Sequence, residues 1–391
     1  MSASIQALTL DLEKDGWETS RGFMKREVLY PELNERLDPK EAAFIILKIL
    51  YAGICGSDRG IWKRQAFSEM IHTSLKREGK RMRILGHEFL GEVVAAGSQV
   101  EHLYGIKEGD MVTGDSHVTC GKCLQCRTGM QEVCQDQLIL GISIDGVFAE
   151  YVKLPARNLW RVDTGAVRPE ICAIYDPIGN AVHALTSLEL RGATVAIFGC
   201  GQIGLFSIAL ARRYGASLII GIDTDRSQLD MAKALGAHHT IKIERKDKAH
   251  EYAADTEVVE AIKGITRGKG VNIAMEMAGF NSSVNNCLEA VRPGGHVVFF
   301  GIKDGDFVIT NFSRMVMKGI TIHNIIGRQI FNTWHTMHRL LSDVSNGLQD
   351  DIWNIILRGG NGTVIPLSAF TPELLEQKMA EHPKLIFDMQ K

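Results

Sequence analysis

The chain has 391 residues, too many for one ordinary hydrophobic core, so two domains are the starting expectation. A hydrophobic fraction of 45%, a charged fraction of 23% and a formal net charge of −2 describe a soluble globular protein and argue against a nucleic-acid or membrane partner. No apolar run reaches membrane-spanning length and the first residues lack a signal-peptide pattern, so a cytoplasmic location is expected. The eight cysteines are then read as metal ligands, catalytic thiols or packing residues before disulfides are considered.

Residues 42–52 form a β-rich run that leads into Gly53-Ile54-Cys55-Gly56-Ser57-Asp58. A cysteine in a glycine-flanked turn at a strand end is a thiol held in a fixed place. Alone it reads equally as a small packing residue. Gly86-His87-Glu88 follows a second apolar pair, Ile84-Leu85, and changes the balance. Cysteine, histidine and carboxylate are donors that zinc prefers, and three protein ligands leave a fourth position open for chemistry. Cys55, His87 and Glu88 are therefore candidate ligands of a catalytic metal. Between these fragments Arg59, Lys63, Arg64, Lys76, Arg77, Lys80, Arg81 and Arg83 face only Glu69 and Glu78. The plain expectation is a solvated loop or helix face; the sharper one is a rim that draws in an anion.

Cys120, Cys123 and Cys126, followed by Cys134, can close a tetrahedron of thiolates around one zinc at about 2.3 Å, with no vacancy for substrate. Gly121 and Gly129 let the loop fold round the ion. An iron–sulfur cluster shares the start of this spacing, and a disulfide pair is also open. A lobe without a hydrophobic run of its own favours structural zinc.

Further on, the apolar run Ala193-Thr194-Val195-Ala196-Ile197-Phe198 predicts a buried strand, and residues 205–214 predict a helix. Between them lies Gly199-Cys200-Gly201-Gln202-Ile203-Gly204. Strand, glycine-rich turn and helix N-terminus form a cradle for a pyrophosphate, with Gly199, Gly201, Ile203 and Gly204 as candidate cofactor-binding residues. A second apolar run, residues 218–222, ends in Asp223, where a carboxylate would accept hydrogen bonds from an adenosine ribose. Asp223 also favours NAD over NADP, although Arg226 stands close enough in sequence to accept a 2′-phosphate. A helix over 227–235 and apolar runs at 272–277, 296–301 and 320–326, separated by breaks such as Arg292-Pro293-Gly294-Gly295, predict a parallel doubly wound sheet.

Taken in order, Gly53 to Asp58, Gly86-His87-Glu88, the four-cysteine lobe and the mid-chain glycine motif resemble the zinc-dependent medium-chain alcohol dehydrogenases over nearly the whole chain. Tyr175-Asp176-Pro177-Ile178-Gly179-Asn180-Ala181-Val182-His183 and Ile326-Gly327-Arg328-Gln329-Ile330-Phe331-Asn332-Thr333-Trp334 look like the L-threonine 3-dehydrogenase branch. The resemblance implies an α/β fold: a GroES-like, mostly β catalytic domain over 1–178 with a structural zinc lobe near 115–140, a Rossmann domain over 179–326, and a return to the catalytic domain over 327–391. It implies two zinc ions per chain, one catalytic and one structural, and a small alcohol or ketone substrate in a homotetramer or homodimer. It adds cofactor contacts from Gly301, Ile302, Ile325 and Ile326, and makes Asp176 a participant in proton relay beside the metal. Ser57 would accept or pass the hydroxyl proton, with turn capping as its ordinary alternative.

The likeness has gaps. Gly60 stands where relatives end the relay in a histidine, Gln228 stands where they carry a ribose-side arginine, and the interval from Cys55 to His87 is longer. Cys55-Gly56-Ser57-Asp58-Arg59 is also similar to the aldose dehydrogenases. A polyol, aldose or cyclitol dehydrogenase is therefore the alternative to a threonine dehydrogenase, and a dinucleotide-sensing, zinc-stabilised binding protein is the reading from another class.

Overall fold

The computed structural model describes residues 3–244, 250–302 and 305–391. The chain divides into two compact units, one formed by Met1–Pro177, Arg328–Ser342 and Leu357–Lys391, the other by Ile178–Gly327 and Asp343–Ile356.

The first unit is built on the strand Phe44–Ile54, whose side chains are buried on both faces. On one edge it pairs antiparallel with Glu88–Ala96; on the other, Tyr151–Pro155 pairs along its first half and Leu385–Asp388 along its second. Met111–Gly114, Leu159–Arg161 and Val364–Pro366 complete a seven-stranded sheet. A smaller sheet of Met24–Leu29, Ser4–Asp11 and Met82–Ile84 lies elsewhere in the unit. Leu47, Ile49, Phe89, Val93, Phe148 and Phe387 belong to one buried cluster, with Phe148 and Phe387 edge to face at 5.4 Å. This register decides where the chemistry sits. Gly53 lies opposite Glu88 and Ile54 opposite Leu385, so the residues around Cys55 meet both the histidine–glutamate motif and the far C-terminus. The predicted strand starts later than its apolar run, because Pro39–Ala43 is a 3-10 turn capped by Asp38.

The second unit holds a six-stranded, wholly parallel sheet. Its spatial order is His239–Lys242, Leu218–Asp223, Thr194–Phe198, Val271–Glu276, Val291–Phe299 and Thr321–Asn324. In chain order that is third, second, first, fourth, fifth, sixth, the doubly wound arrangement with its switch point beside the first strand. Phe198, Ile220, Ile222, Ala274 and Val297 are buried in its core. The Arg292-Pro293-Gly294-Gly295 break falls inside the strand Val291–Phe299, where the pairing shifts register and Gly294 takes a φ of 65°. Among the described residues no helix is long and apolar enough to cross a membrane.

Candidate metal centre and dinucleotide cradle

Cys55 is the N-cap of the helix Gly56–Trp62, and its backbone N–H donates to Asp58 Oδ2 at 2.9 Å. Asp58 supplies the side-chain cap, which removes the ordinary explanation for Ser57. Ser57 Oγ is buried and has no hydrogen-bond partner. Across the sheet, His87 and Glu88 present their ligand atoms to the Cys55 sulfur, all within 4.8 Å of one another. Asp58 Oδ1, His87 Nδ1 and Glu88 Oε1 are buried without hydrogen-bond partners as well. Unsatisfied buried polar atoms are costly and rare, and here His87 Nδ1 and Glu88 Oε1 belong to one donor set with Asp58 Oδ1 3.8 Å from the imidazole. A divalent cation offered to a thiolate, an imidazole and a carboxylate accounts for this donor set.

Electrostatics agree. Burial opposes a charged His87, yet Asp58, 3.8 Å from its ring nitrogen, with Cys55 and Asp176 raises the imidazole to about 10. Burial likewise pushes the Asp58 carboxyl up, with His87 pulling it back. The protein has thus gathered negative charge around a site that calls for a cation. Glu88 is raised by burial and lowered by Lys384, whose ammonium contacts Glu88 Oε2 with both side chains wholly buried. Gly53 makes room for this carboxylate, since a Cβ there would stand 2.2 Å from Glu88 Oε2.

Asp176 lies in the first turn of the helix Tyr175–Thr186. Its Oδ1 accepts from Arg328 Nη1 at 2.8 Å and its Oδ2 from the Ser116 N–H at 3.1 Å. Arg328 also grips Asp115 through Nε at 2.9 Å and Nη2 at 2.7 Å, and the Trp334 indole donates to Asp115 at 3.0 Å. Burial raises Asp115, but the Arg328 guanidinium prevails and holds it below the usual carboxylate range. Asp58, Asp115, Arg328 and Lys384 were not singled out from the sequence. Only Asp58 has a local signal, an acid three residues after an N-cap.

Of the basic stretch, Lys63, Lys76, Arg77, Lys80 and Arg81 are exposed, while three arginines are drawn into the fold. Arg59 donates to the Met379, His382 and Pro383 carbonyls. Arg64 binds the Ile61 and Gly22 carbonyls. Arg83 is fully buried against Glu78, Asp145 and Ser74.

The four cysteines form a second cluster, with Cys120, Cys123, Cys126 and Cys134 sulfurs within 4.8 Å of one another. None of the eight cysteines is in a disulfide, and the 3.9 Å between Cys123 and Cys134 sulfurs is too long for one. Backbone N–H groups of Lys122 and Cys123 point at Cys120 Sγ, and that of Cys120 at Cys134 Sγ. Such donors, first that of Cys126, hold Cys123 down to about 6, while burial pushes Cys126 up to about 12.

In the second unit Gly199 has a φ of 98°, which favours glycine, and a Cβ at Gly204 would strike the Gly199 carbonyl oxygen at 1.9 Å. Gly201, the N-cap of the helix Gln202–Arg213, faces open space where a Cβ would meet nothing. A glycine turn with open space at a helix N-terminus fits a pyrophosphate. Asp223 ends its strand and is held by the Cys200 N–H at 2.6 Å and the Asp225 N–H at 2.9 Å. Arg226 is exposed and paired with Asp230. Gly301 packs where a Cβ would lie 2.2 Å from the Gly279 nitrogen, and Glu276 fixes that turn by accepting from the Ala278 and Gly279 N–H groups. Ile203 and Ile325 are half-buried, while Ile302 and Ile326 are exposed apolar residues, 77% and 40% accessible.

Comparison with known proteins agrees with this geometry. Residues 41–164 match the alcohol dehydrogenase GroES-like domain and residues 203–343 the zinc-binding dehydrogenase family. The chain is 37% identical to an L-threonine 3-dehydrogenase of Caldanaerobacter subterraneus subsp. tengcongensis, covering 91% of this chain and 92% of that one. It is 33% identical to an L-threonine 3-dehydrogenase of Bacillus subtilis, over 87% and 88%. A zinc-binding dehydrogenase from Sinorhizobium meliloti 1021, solved bound to NADP, is similar over 99% of each chain with a TM-score of 0.75 and 25% identity. The chain therefore belongs to the zinc-dependent medium-chain alcohol dehydrogenases, in the L-threonine 3-dehydrogenase-like branch, and is an oxidoreductase acting on CH–OH donors with zinc and a nicotinamide cofactor.

Proposed function

We propose that the chain oxidises a polar secondary alcohol, L-threonine first among candidates, to the ketone with NAD as hydride acceptor, using two zinc ions per chain. The observation that carries this reading is the half-buried Cys55 beside buried His87 and Glu88, with His87 Nδ1 and Glu88 Oε1 lacking hydrogen-bond partners. The names of the two threonine dehydrogenase relatives support the substrate.

When bound, zinc would supply Lewis acidity for the substrate hydroxyl and NAD would supply the hydride acceptor. Cys55 and His87 hold the metal, and Glu88 is a further, exchangeable donor. Asp58 fixes the turn that carries Cys55 and sets a negative charge beside His87. Ser57 Oγ, buried and unpartnered, would relay the hydroxyl proton, handing its own on towards solvent as it takes the substrate's. Both Asp176 oxygens already accept hydrogen bonds, so Asp176 contributes charge to the site more readily than a proton route. Gly199, Gly201, Ile203 and Gly204 cradle the pyrophosphate, Asp223 binds the adenosine ribose, and Gly301, Ile302, Ile325 and Ile326 lie on the nicotinamide side. Asp223, with Arg226 engaged by Asp230, supports NAD over NADP. The Cys120, Cys123, Cys126 and Cys134 set holds the structural zinc. On the helix Phe312–Met317, Phe312, Val316 and Met317 are exposed, which supports a homodimer or homotetramer.

Initial rates with L-threonine, sorbitol, glucose and an inositol, each with NAD and with NADP, test the reading. Threonine turnover with NAD is expected. Rapid polyol turnover without threonine turnover would move the chain to the polyol dehydrogenases, and dinucleotide binding without oxidation of any alcohol would make it a sensor.

A further inference from the structure

The final strand, Leu385–Asp388, pairs antiparallel with the strand ending at Ile54, and Leu385 stands opposite Ile54. The residue before it, Lys384, is therefore carried to the turn that delivers Cys55. Its ammonium donates to the Ile54 carbonyl at 3.0 Å and contacts Glu88 Oε2. Three features separate this contact from an ordinary core ion pair. Arg59, on the helix that opens after Cys55, clamps the approach to Lys384 through the Met379 carbonyl at 2.6 Å, His382 at 2.7 Å and Pro383 at 3.0 Å. Position 53 has surrendered its side chain to the space that Glu88 Oε2 occupies. The other Glu88 oxygen, Oε1, has no hydrogen-bond partner, although Glu88 brings a ligand oxygen within 4.8 Å of the Cys55 and His87 donors.

One buried carboxylate thus stands between an ammonium and a cation site. We propose that Lys384 is a positioning residue for the metal centre: by holding Glu88 through one oxygen it keeps this carboxylate a weak, exchangeable donor beside Cys55 and His87. The inference rests on the reading that these three residues bind zinc. A carboxylate shared with an ammonium gives less of its charge to a metal than one with no other partner. Removing the ammonium makes Glu88 a full ligand. The ion is then held more tightly, and the position a substrate needs is filled.

The test uses the full-length zinc protein and compares Lys384→Met and Lys384→Arg with the wild type, and Lys384→Met/Glu88→Gln with Glu88→Gln alone. Two readouts are independent of turnover: the rate at which a colorimetric chelator removes the more labile zinc, and the visible bands after that ion is exchanged for cobalt(II). Lys384→Met is expected to slow extraction about tenfold or more and to shift the cobalt bands. Lys384→Arg keeps wild-type values, and Lys384→Met has no effect in the Glu88→Gln background. Should Lys384→Met fail to fold, Lys384→Gln carries the same comparison. Extraction at the wild-type rate with unmoved cobalt bands would overturn the inference, as would equal slowing without Glu88. A wild-type protein carrying one zinc per chain defeats the zinc reading itself and the inference with it; two zincs and an unmoved extraction rate defeat the inference alone.

Discussion

The two cysteine-bearing sites of the first unit solve the same problem differently. At Cys120, Cys123, Cys126 and Cys134 the donors are all sulfur, and they sit in a short loop whose own backbone N–H groups point at them. At Cys55 the donors are mixed, two of them fully buried, and their surroundings are charged side chains: Asp58 from the same turn, and Asp176, Arg328 and Lys384 from distant parts of the chain. A closed set of thiolates needs only a loop of the right shape. An open set must leave a position free, so its charge is balanced by groups outside the ligand shell, and those groups need a whole sheet to hold them. The first arrangement belongs to local sequence and the second to tertiary structure.

This contrast can be broken by substitution, and the largest effect is expected at the open site. Cys55→Ala should lower turnover by a factor of about 1,000 or more while dinucleotide binding, followed by fluorescence titration, is retained in the other unit. Joint loss of both would mean that the two halves do not separate the two roles. Cys123→Ser should instead act on the fold, reducing bound zinc by one per chain and the thermal midpoint by about 5–10 °C.

Arg328→Met sharpens the contrast, because it strips the counter-charge from two buried carboxylates without touching a ligand. A loss of about 3–5 kcal/mol at pH 7 is expected by denaturant titration. The pH dependence should also invert. In the wild type Asp115 is held low by Arg328, so its contribution is present above about pH 4 and is lost as pH falls through the lower folded value. Without the guanidinium, burial is the largest influence on Asp115 and raises its carboxyl, so the variant is best off in acid and loses stability as pH rises above about 4. A deficit independent of pH would remove Arg328 from this role.

The smallest effect is expected in the cradle. Gly201→Ala places a methyl in open space, so stability should change by less than about 1 kcal/mol, while the NAD KM rises about tenfold as the methyl meets the pyrophosphate. An unchanged KM would move the phosphate site elsewhere.

The same contrast explains what could be read without coordinates. The first Rossmann strand, its glycine turn and Asp223 lie within 30-odd consecutive residues, and each has a periodic or steric signature, so their arrangement was legible. The cysteine cluster was legible for the same reason. Cys55, His87 and Glu88 were visible as fragments, but their meeting depends on the register that sets Gly53 opposite Glu88. Lys384 sits in Pro383-Lys384-Leu385, an unremarkable tripeptide, and becomes informative only because Leu385 pairs with Ile54. Arg59 and Arg83 read as solvated charges because composition cannot show which carbonyls or carboxylates will receive them.

Metal content followed against turnover tests the central claim most directly. The account predicts two zinc ions per chain, with alcohol oxidation falling in step as the more labile ion is chelated and returning when zinc is added back. One zinc per chain, or full turnover after the labile ion has gone, would contradict it.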